Sequence, residues 1–211
     1  MYFELKENRP HGTPEHPFSL YHIKNVPHAF QIPVHWHDEL EIIYVKSGSV
    51  HVTISGEHYI GNPGDAFVVS PGSLHFMGSH TGDVDYYTFL FPLEFVSFQM
   101  NDLSEQMLMA PLKSGRMLFQ IQIGKSIEDL CEHLLVLYAG EGDVRNPIRT
   151  TVPKDSAKRI SFVAKQMETK MILLEFLQRM WKNGFIIEND ISGRNATEKE
   201  MISYIQENFT D

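Results

Sequence analysis

In the first half of the chain, apolar and polar residues alternate in short runs that turn residues keep interrupting. Val50, Val52 and Ile54 alternate with His51 and Thr53, and this period of two predicts a half-buried strand over 49–54. Before it, Leu40 to Lys46 is a β-rich run that stops at Ser47-Gly48. After it, Ser55-Gly56-Glu57 is turn chemistry and leads into a short strand through His58-Tyr59-Ile60. Gly61-Asn62-Pro63-Gly64-Asp65 turns the chain again, and Ala66 to Ser70 reads as apolar and extended. Pro71-Gly72 is a further turn before strands at Leu74 to Met77 and Asp85 to Phe91. Short strands at this spacing predict a sandwich or barrel.

The second half follows a helical period. Ser126 to Tyr138 repeats apolar residues at Ile127, Leu130, Leu134, Leu135 and Tyr138, with Ser126 as the expected N-cap. Asp155 to Trp181 places Ile160, Val163, Met167, Met171, Leu174, Leu177 and Trp181 three or four apart, which predicts a long amphipathic helix ending near Asn183-Gly184. A loop is expected at Gly140 to Pro153, and a short helix near Leu103 to Ala110.

Within His35-Trp36-His37-Asp38-Glu39-Leu40-Glu41, the residues His35, His37 and Glu41 all occupy odd positions. One continuous strand would point them the same way, together with Ile43 and Val45, into the enclosed side of a β structure. Trp36, Leu40, Ile42 and Tyr44 would then form the opposite face, too apolar to meet water, and the helices are the expected cover. The methionine-bearing stripe of the long helix suits packing against that face, and a helix of this length has room for a dimer surface as well.

Composition narrows the function classes. The chain has 211 residues and a net charge of −9, which argues against these residues alone gripping a phosphate backbone. Cys131 is the single cysteine, so no intrachain disulfide forms; a reducing, cytoplasmic setting is expected, with Cys131 in the core. No apolar run reaches the ~18 residues of a membrane span, and Met1 to Pro10 lacks a signal-peptide core. Ten of the eleven histidines precede residue 81, which concentrates candidate chemistry in the β half. No phosphate-binding glycine loop or nucleophile elbow is present.

The histidine spacing carries a resemblance. His35-x-His37, Glu41 and Gly48, followed by Gly64, Ser70-Pro71-Gly72 and His75, resemble the two motifs of the cupin superfamily, whose fold is a jelly-roll, or double-stranded β-helix, barrel. By that resemblance His35, His37, Glu41 and His75 stand at the ligand positions of metal-binding cupins, and a divalent transition metal is the cofactor they could hold. Ser70 and Ser79 depart from the usual proline and asparagine. His11-Gly12, Pro17-Phe18-Ser19-Leu20-Tyr21 and the histidine run look like the sensor domain of AraC-type transcription regulators. Tyr204-Ile205-Gln206-Glu207-Asn208-Phe209 is similar to the first helix of that family's helix-turn-helix DNA-binding domain.

The resemblance implies four parts: an N-terminal arm and cupin barrel (1–97), a helical dimerisation and packing segment (98–187), a linker (188–195), and the first helix of a DNA-binding domain (196–211). It implies a non-enzymatic domain that binds a small polar effector, such as a sugar, at His35, His37, Glu41 and His75, with Tyr87 and Phe89 in the wall. The arm, Met1 to Tyr21, would sit over the barrel mouth or against the helices. A homodimer is expected through Met167, Met171 and Leu174, with DNA contacted only by a further C-terminal domain and no membrane partner. The alternative is a free-standing cupin metalloenzyme, an oxygenase or isomerase, using the same four ligands.

Overall fold

Among the described residues, nine strands build two antiparallel sheets that face each other across the barrel interior. In chain order the first eight are β1 (Ser19–Lys24), β2 (Phe30–His35), β3 (Leu40–Gly48), β4 (Val50–Ile54), β5 (Glu57–Gly61), β6 (Ala66–Val69), β7 (His75–Ser79) and β8 (Val84–Phe91). Short strands β9 (Met117–Phe119) and β10 (Gln122–Gly124) follow. One sheet has the order β1-β8-β3-β6-β10 and the other β2-β7-β4-β5. This is a cupin-like jelly roll, as the strand spacing and the histidine motifs implied. The structure, a computed structural model, describes residues 5–7, 9–24, 30–80, 83–139 and 153–189.

Strand register decides which face each side chain takes. Glu41 pairs with Leu90, Ile43 with Thr88 and Val45 with Tyr86. These residues point inward, and Ile43, Val45, Phe67, Val69 and Tyr86 pack with Val50, Val52, Ile54 and Met77 of the facing sheet. The other face of the larger sheet carries Leu40, Ile42, Tyr44, Val68, Phe89 and Phe91, all buried in a second core beneath the helices. The expected helical cover is therefore present.

Two helices supply most of that cover. Helix α2 (Glu128–Leu137) buries Leu130, Cys131 and Leu134. Its N-cap is Ile127 rather than Ser126, because the Ser126 hydroxyl donates to the Ile123 carbonyl at 2.7 Å. Burial pushes the Cys131 thiol far up, so it is an inert core residue. Helix α3 (Ser156–Lys182) starts at Asp155, whose carboxylate accepts the Lys158 N–H at 2.9 Å, and stops before Gly184 at φ +69°. The region expected to form a short helix at 103–110 is a π-helical turn, Glu105–Met109, running into α1 (Ala110–Lys113). After α3, β11 (Ile186–Glu188) pairs with β9, and Asn189 donates to the Gly115 carbonyl.

The face that α3 presents to the barrel differs from expectation. Thr169, Ile172, Leu173, Phe176, Leu177 and Met180 are buried, whereas Ile160, Val163, Met167, Met171 and Trp181 are exposed. Both faces are apolar in this stretch, so periodicity finds the helix but cannot choose the packed side. The linker beyond Asn189, the 196–211 segment and residues 140–152 of the expected loop lie outside the described residues. No helix among the described residues is long and apolar enough to cross a membrane.

Candidate ligand-binding and metal site

The histidine run is not one strand. β2 ends at His35 in the smaller sheet and β3 begins at Leu40 in the larger one, so residues 36–39 cross from one sheet to the other. The crossing corrects the expectation that parity alone aligns His35, His37 and Glu41; the two sheets aim them at the same interior from opposite sides. His35 pairs directly with His75 of β7, His37 sits in the crossing, and Glu41 enters from β3. Trp36 is held by the N-terminal arm instead of the outer face of β3: its N–H donates to the Leu5 carbonyl at 3.0 Å, and its carbonyl accepts from Glu7 N–H at 2.9 Å.

Second partners orient each imidazole. Nδ1 lies 2.8 Å from the Pro33 carbonyl in His35, 3.1 Å from the Glu39 carbonyl in His37 and 2.8 Å from the Ser73 carbonyl in His75. A carbonyl only accepts, so a neutral ring carries its proton on Nδ1 and leaves the Nε2 lone pair free. The three rings offer ligand atoms within 4.8 Å of one another. Glu41 Oε2 is 3.2 Å from His37 Nε2 and 3.0 Å from His75 Nε2, with all three side chains at most 3% exposed.

Burial opposes ionisation of Glu41, yet the contacts from His37 and His75 prevail and hold its carboxyl far below the usual range. Burial, reinforced by His75, lowers His35 from its ordinary value, which favours the neutral, lone-pair form. Two Nε2 atoms facing an ionised carboxylate oxygen require a cation between them, either protons or a metal. Backbone-anchored Nδ1 with inward Nε2 is the arrangement of metal-ligating histidines. The donor set fits a first-row divalent transition metal, which would be held by His35, His37, His75 and Glu41 and would polarise a bound oxygen ligand.

Beside this cluster lies a cavity of about 190 Å³, room for one small molecule. Its polar wall includes His35, Glu41 and Thr88, and its apolar wall includes Ile23, Ile32, Met77 and Leu90. Tyr87 and Phe89 do not reach it, which corrects their expected place. The register puts Thr88 and Leu90 inward, so Phe89 is buried in the outer core and Tyr87 packs against that core. Met167 and Met171 are exposed and Leu174 is half-buried, all remote in role from this cavity.

Sequence reasoning expected the arm over the barrel mouth or against the helices but named none of its residues at the site. Glu7, Arg9, His11 and Tyr21 line the cavity. Glu7 Oε2 stands 3.5 Å from His11 Nε2 and 3.6 Å from His35 Nε2, and His11 chiefly holds the Glu7 carboxyl below its ordinary range against the cost of burial. The His11-Gly12 and histidine concentration before residue 81 was the available signal, but strand parity has nothing to say about a coiled segment. The same arm also reaches the helices, through His16: its Nε2 is 2.9 Å from the Tyr138 hydroxyl, which is 2.7 Å from Thr169 Oγ1 on α3. Ser70, unusual in the second motif, accepts the Phe119 N–H at 3.0 Å and so ties β9 to the barrel.

Among solved structures, the chain is similar to a conserved protein of unknown function from Streptococcus pyogenes (16% identity, TM-score 0.30, 36% of this chain and 62% of that one). It is also similar to KdgF from Halomonas sp. (22% identity, TM-score 0.30, 36% and 79%). An RmlC-like cupin from Shewanella frigidimarina matches at 28% identity and TM-score 0.33, over 36% of this chain and 67% of that one. No curated protein matches the sequence. The model of the AraC-like ligand binding domain matches residues 11–148, which takes in the described barrel, its histidine cluster and α2. The chain belongs to the AraC-like ligand binding domain family.

Proposed function

We propose that this chain is the ligand-sensing and dimerisation part of an AraC-type transcription regulator, in which a small polar molecule, a sugar among the candidates, enters the barrel cavity. DNA would be bound by a separate C-terminal domain whose first helix the 196–211 sequence resembles. The observation that carries this reading is the course of the arm from cavity to helix. His11 lines the cavity, and five residues later His16 is buried against Tyr138 and α3. Gln166 of α3 donates to the Glu15 carbonyl at 2.6 Å. A ligand that favours one placement of the arm therefore has a physical route to α3. Only a ligand with unequal affinity for the two placements shifts the balance.

The exposed stripe of α3, with Met167, Met171 and half-buried Leu174, supports a homodimer interface, because monomeric proteins seldom leave such a stripe bare. The test is a thermal-shift screen of neutral sugars and small polar metabolites, followed by hydrogen exchange over residues 156–182 with any stabilising compound. Stabilisation together with altered exchange in α3 is the expected result. If no compound stabilises the protein, or stabilisation leaves α3 unchanged, the sensing reading fails. The convergent Nε2 atoms also support the rival reading, a cupin oxygenase or isomerase; metal-dependent turnover in the same screen would favour it.

A further inference from the structure

We propose that the apolar groove between the π-helical turn and the C-terminal half of α3 is a docking site for this chain's own 196–211 segment. It rests on the reading above for taking that segment as the opening helix of a following domain. The groove itself owes nothing to an effector, for it shares no lining residue with the barrel cavity.

The groove has a volume of about 430 Å³. Met109 and Leu177, both buried, form its floor, and Phe98, Leu103, Met107 and Trp181, all exposed, form its rim. Among the described residues its lining carries no charged side chain, which suits an apolar surface rather than an ion or a phosphate. One wall is set in place by Glu105: its buried carboxylate accepts from Lys113 Nζ and, at 3.4 Å, from the Phe98 N–H. That holds the π-helical turn against the rim, so the groove is formed before anything enters it.

The chain is delivered to this groove by its own path. Asn189 is tied to the end of α1, its N–H donating to the Arg116 carbonyl at 2.9 Å and its Nδ2 to the Gly115 carbonyl at 2.7 Å. Met109 of the groove floor precedes Gly115 by six residues, roughly 9 Å at the helical rise. Ala196 follows Asn189 by seven residues, a reach of up to about 25 Å. Residues 196–211 lie outside the described residues, but their sequence states what they offer. As a helix, Met201, Ile202, Ile205 and Phe209 share one face, the anchor spacing of a helix laid in an apolar groove. A short tether gives such a segment an effective concentration on the order of millimolar, while a second copy of the chain has to meet the full cost of association. The tethered segment is therefore the favoured occupant.

The test is hydroxyl-radical footprinting of the full chain, read at Met107 and Trp181 in the groove and at Met167 outside it. The wild type is compared with an Ile202→Asp/Ile205→Asp variant, each at low and at high micromolar concentration, with hydrogen exchange of β8 as the check that the barrel is intact. The variant should be labelled about 5-fold or more faster at Met107 and Trp181, at both concentrations, with Met167 unaffected by the substitution. Under mild oxidation, Leu103→Cys/Ile205→Cys should form an intramolecular disulfide readily, and Leu103→Cys/Glu207→Cys, with the second thiol on the opposite helix face, should not; the native Cys131 is buried. Equal labelling of wild type and variant, or equal cross-linking of the two cysteine pairs, would overturn the proposal. Groove protection that grows with protein concentration in both chains assigns the groove to a second copy and overturns it too. Either failure leaves effector sensing to its own thermal-shift screen, and failure of that screen leaves the footprint standing.

Discussion

Glu41 on one sheet and His75 on the other meet at 3.0 Å, Oε2 to Nε2, across the barrel interior. Both sheets must be in register before the two atoms can approach, so this contact reports the closed barrel as well as the site. With the His75 Nδ1 directed at the Ser73 carbonyl, the pair has a fixed direction and a need for positive charge between its atoms.

That need sets the response to acid in metal-free, chelator-containing buffer. Glu41 is lowered from its ordinary 4.5, so its contribution is present above that pH and is lost as pH falls through the lower folded value. His35 is lowered from 6.5, so the unfolded chain binds more protons below that pH, and stability again falls on acidification. Urea midpoints should therefore decline from pH 8 to 4, first below about 6.5 and further below about 4.5. Glu41→Gln should flatten the second decline; a midpoint that rises on acidification would contradict the assignment.

The His16–Tyr138–Thr169 chain is buried throughout, so deleting its middle hydroxyl leaves polar atoms behind. Tyr138→Phe should cost on the order of 1–3 kcal/mol in equilibrium urea unfolding. It should also uncouple the arm from α3, seen as faster hydrogen exchange in residues 13–18.

The two faces of α3 should respond differently. Phe176 is 1% exposed between sheet and helices, and Phe176→Ala should destabilise by about 3–5 kcal/mol. Met167 and Met171 are 61% and 68% exposed, so Met167→Asp with Met171→Asp should leave the unfolding midpoint of the monomer nearly unchanged. Sedimentation equilibrium should show the wild type as a dimer and the double variant as a monomer. A wild type that stays monomeric at micromolar concentration removes the dimer proposal.

Gly48 closes the turn between β3 and β4 at φ +77°, where a Cβ would lie 2.0 Å from the Asp83 carbonyl oxygen. Gly48→Ala should cost on the order of 2–3 kcal/mol, through left-handed strain and the backbone clash together, read from the thermal midpoint and calorimetric enthalpy.

Much of the fold was legible because its elements are locally encoded. The alternation at Val50 to Ile54 and the β-rich Leu40 to Lys46 run became β4 and β3, and the start expected at Asp155 and the stop at Asn183-Gly184 bracketed α3. β1 and β2 were missed: Tyr21 and His22 mix with apolar neighbours, and Pro33 interrupts the second, so neither shows a clean period. The four barrel donors were legible through motif spacing. Tyr87 and Phe89 were misassigned because their face depends on the pairing of β8 with β3, which the sequence of β8 alone does not contain. Glu7 and His11 were not named as site residues because a coil far from the motif reaches the cavity only after the barrel has closed, and the histidine-rich first half was only a general signal.

By itself, then, the sequence determined what short-range physics governs: where strands and helices form, which residues are apolar, and that four donors of the right chemistry share one spacing. Only the tertiary structure decided which sheet each donor enters from, which face of α3 is buried, and that the arm adds Glu7 and His11 to the cavity. Side-chain direction along one element follows from backbone geometry, a local property. Register between strands, the choice between two apolar helix faces and the path of a coil are settled by contacts between residues far apart in the chain, where total burial and polar satisfaction are optimised together.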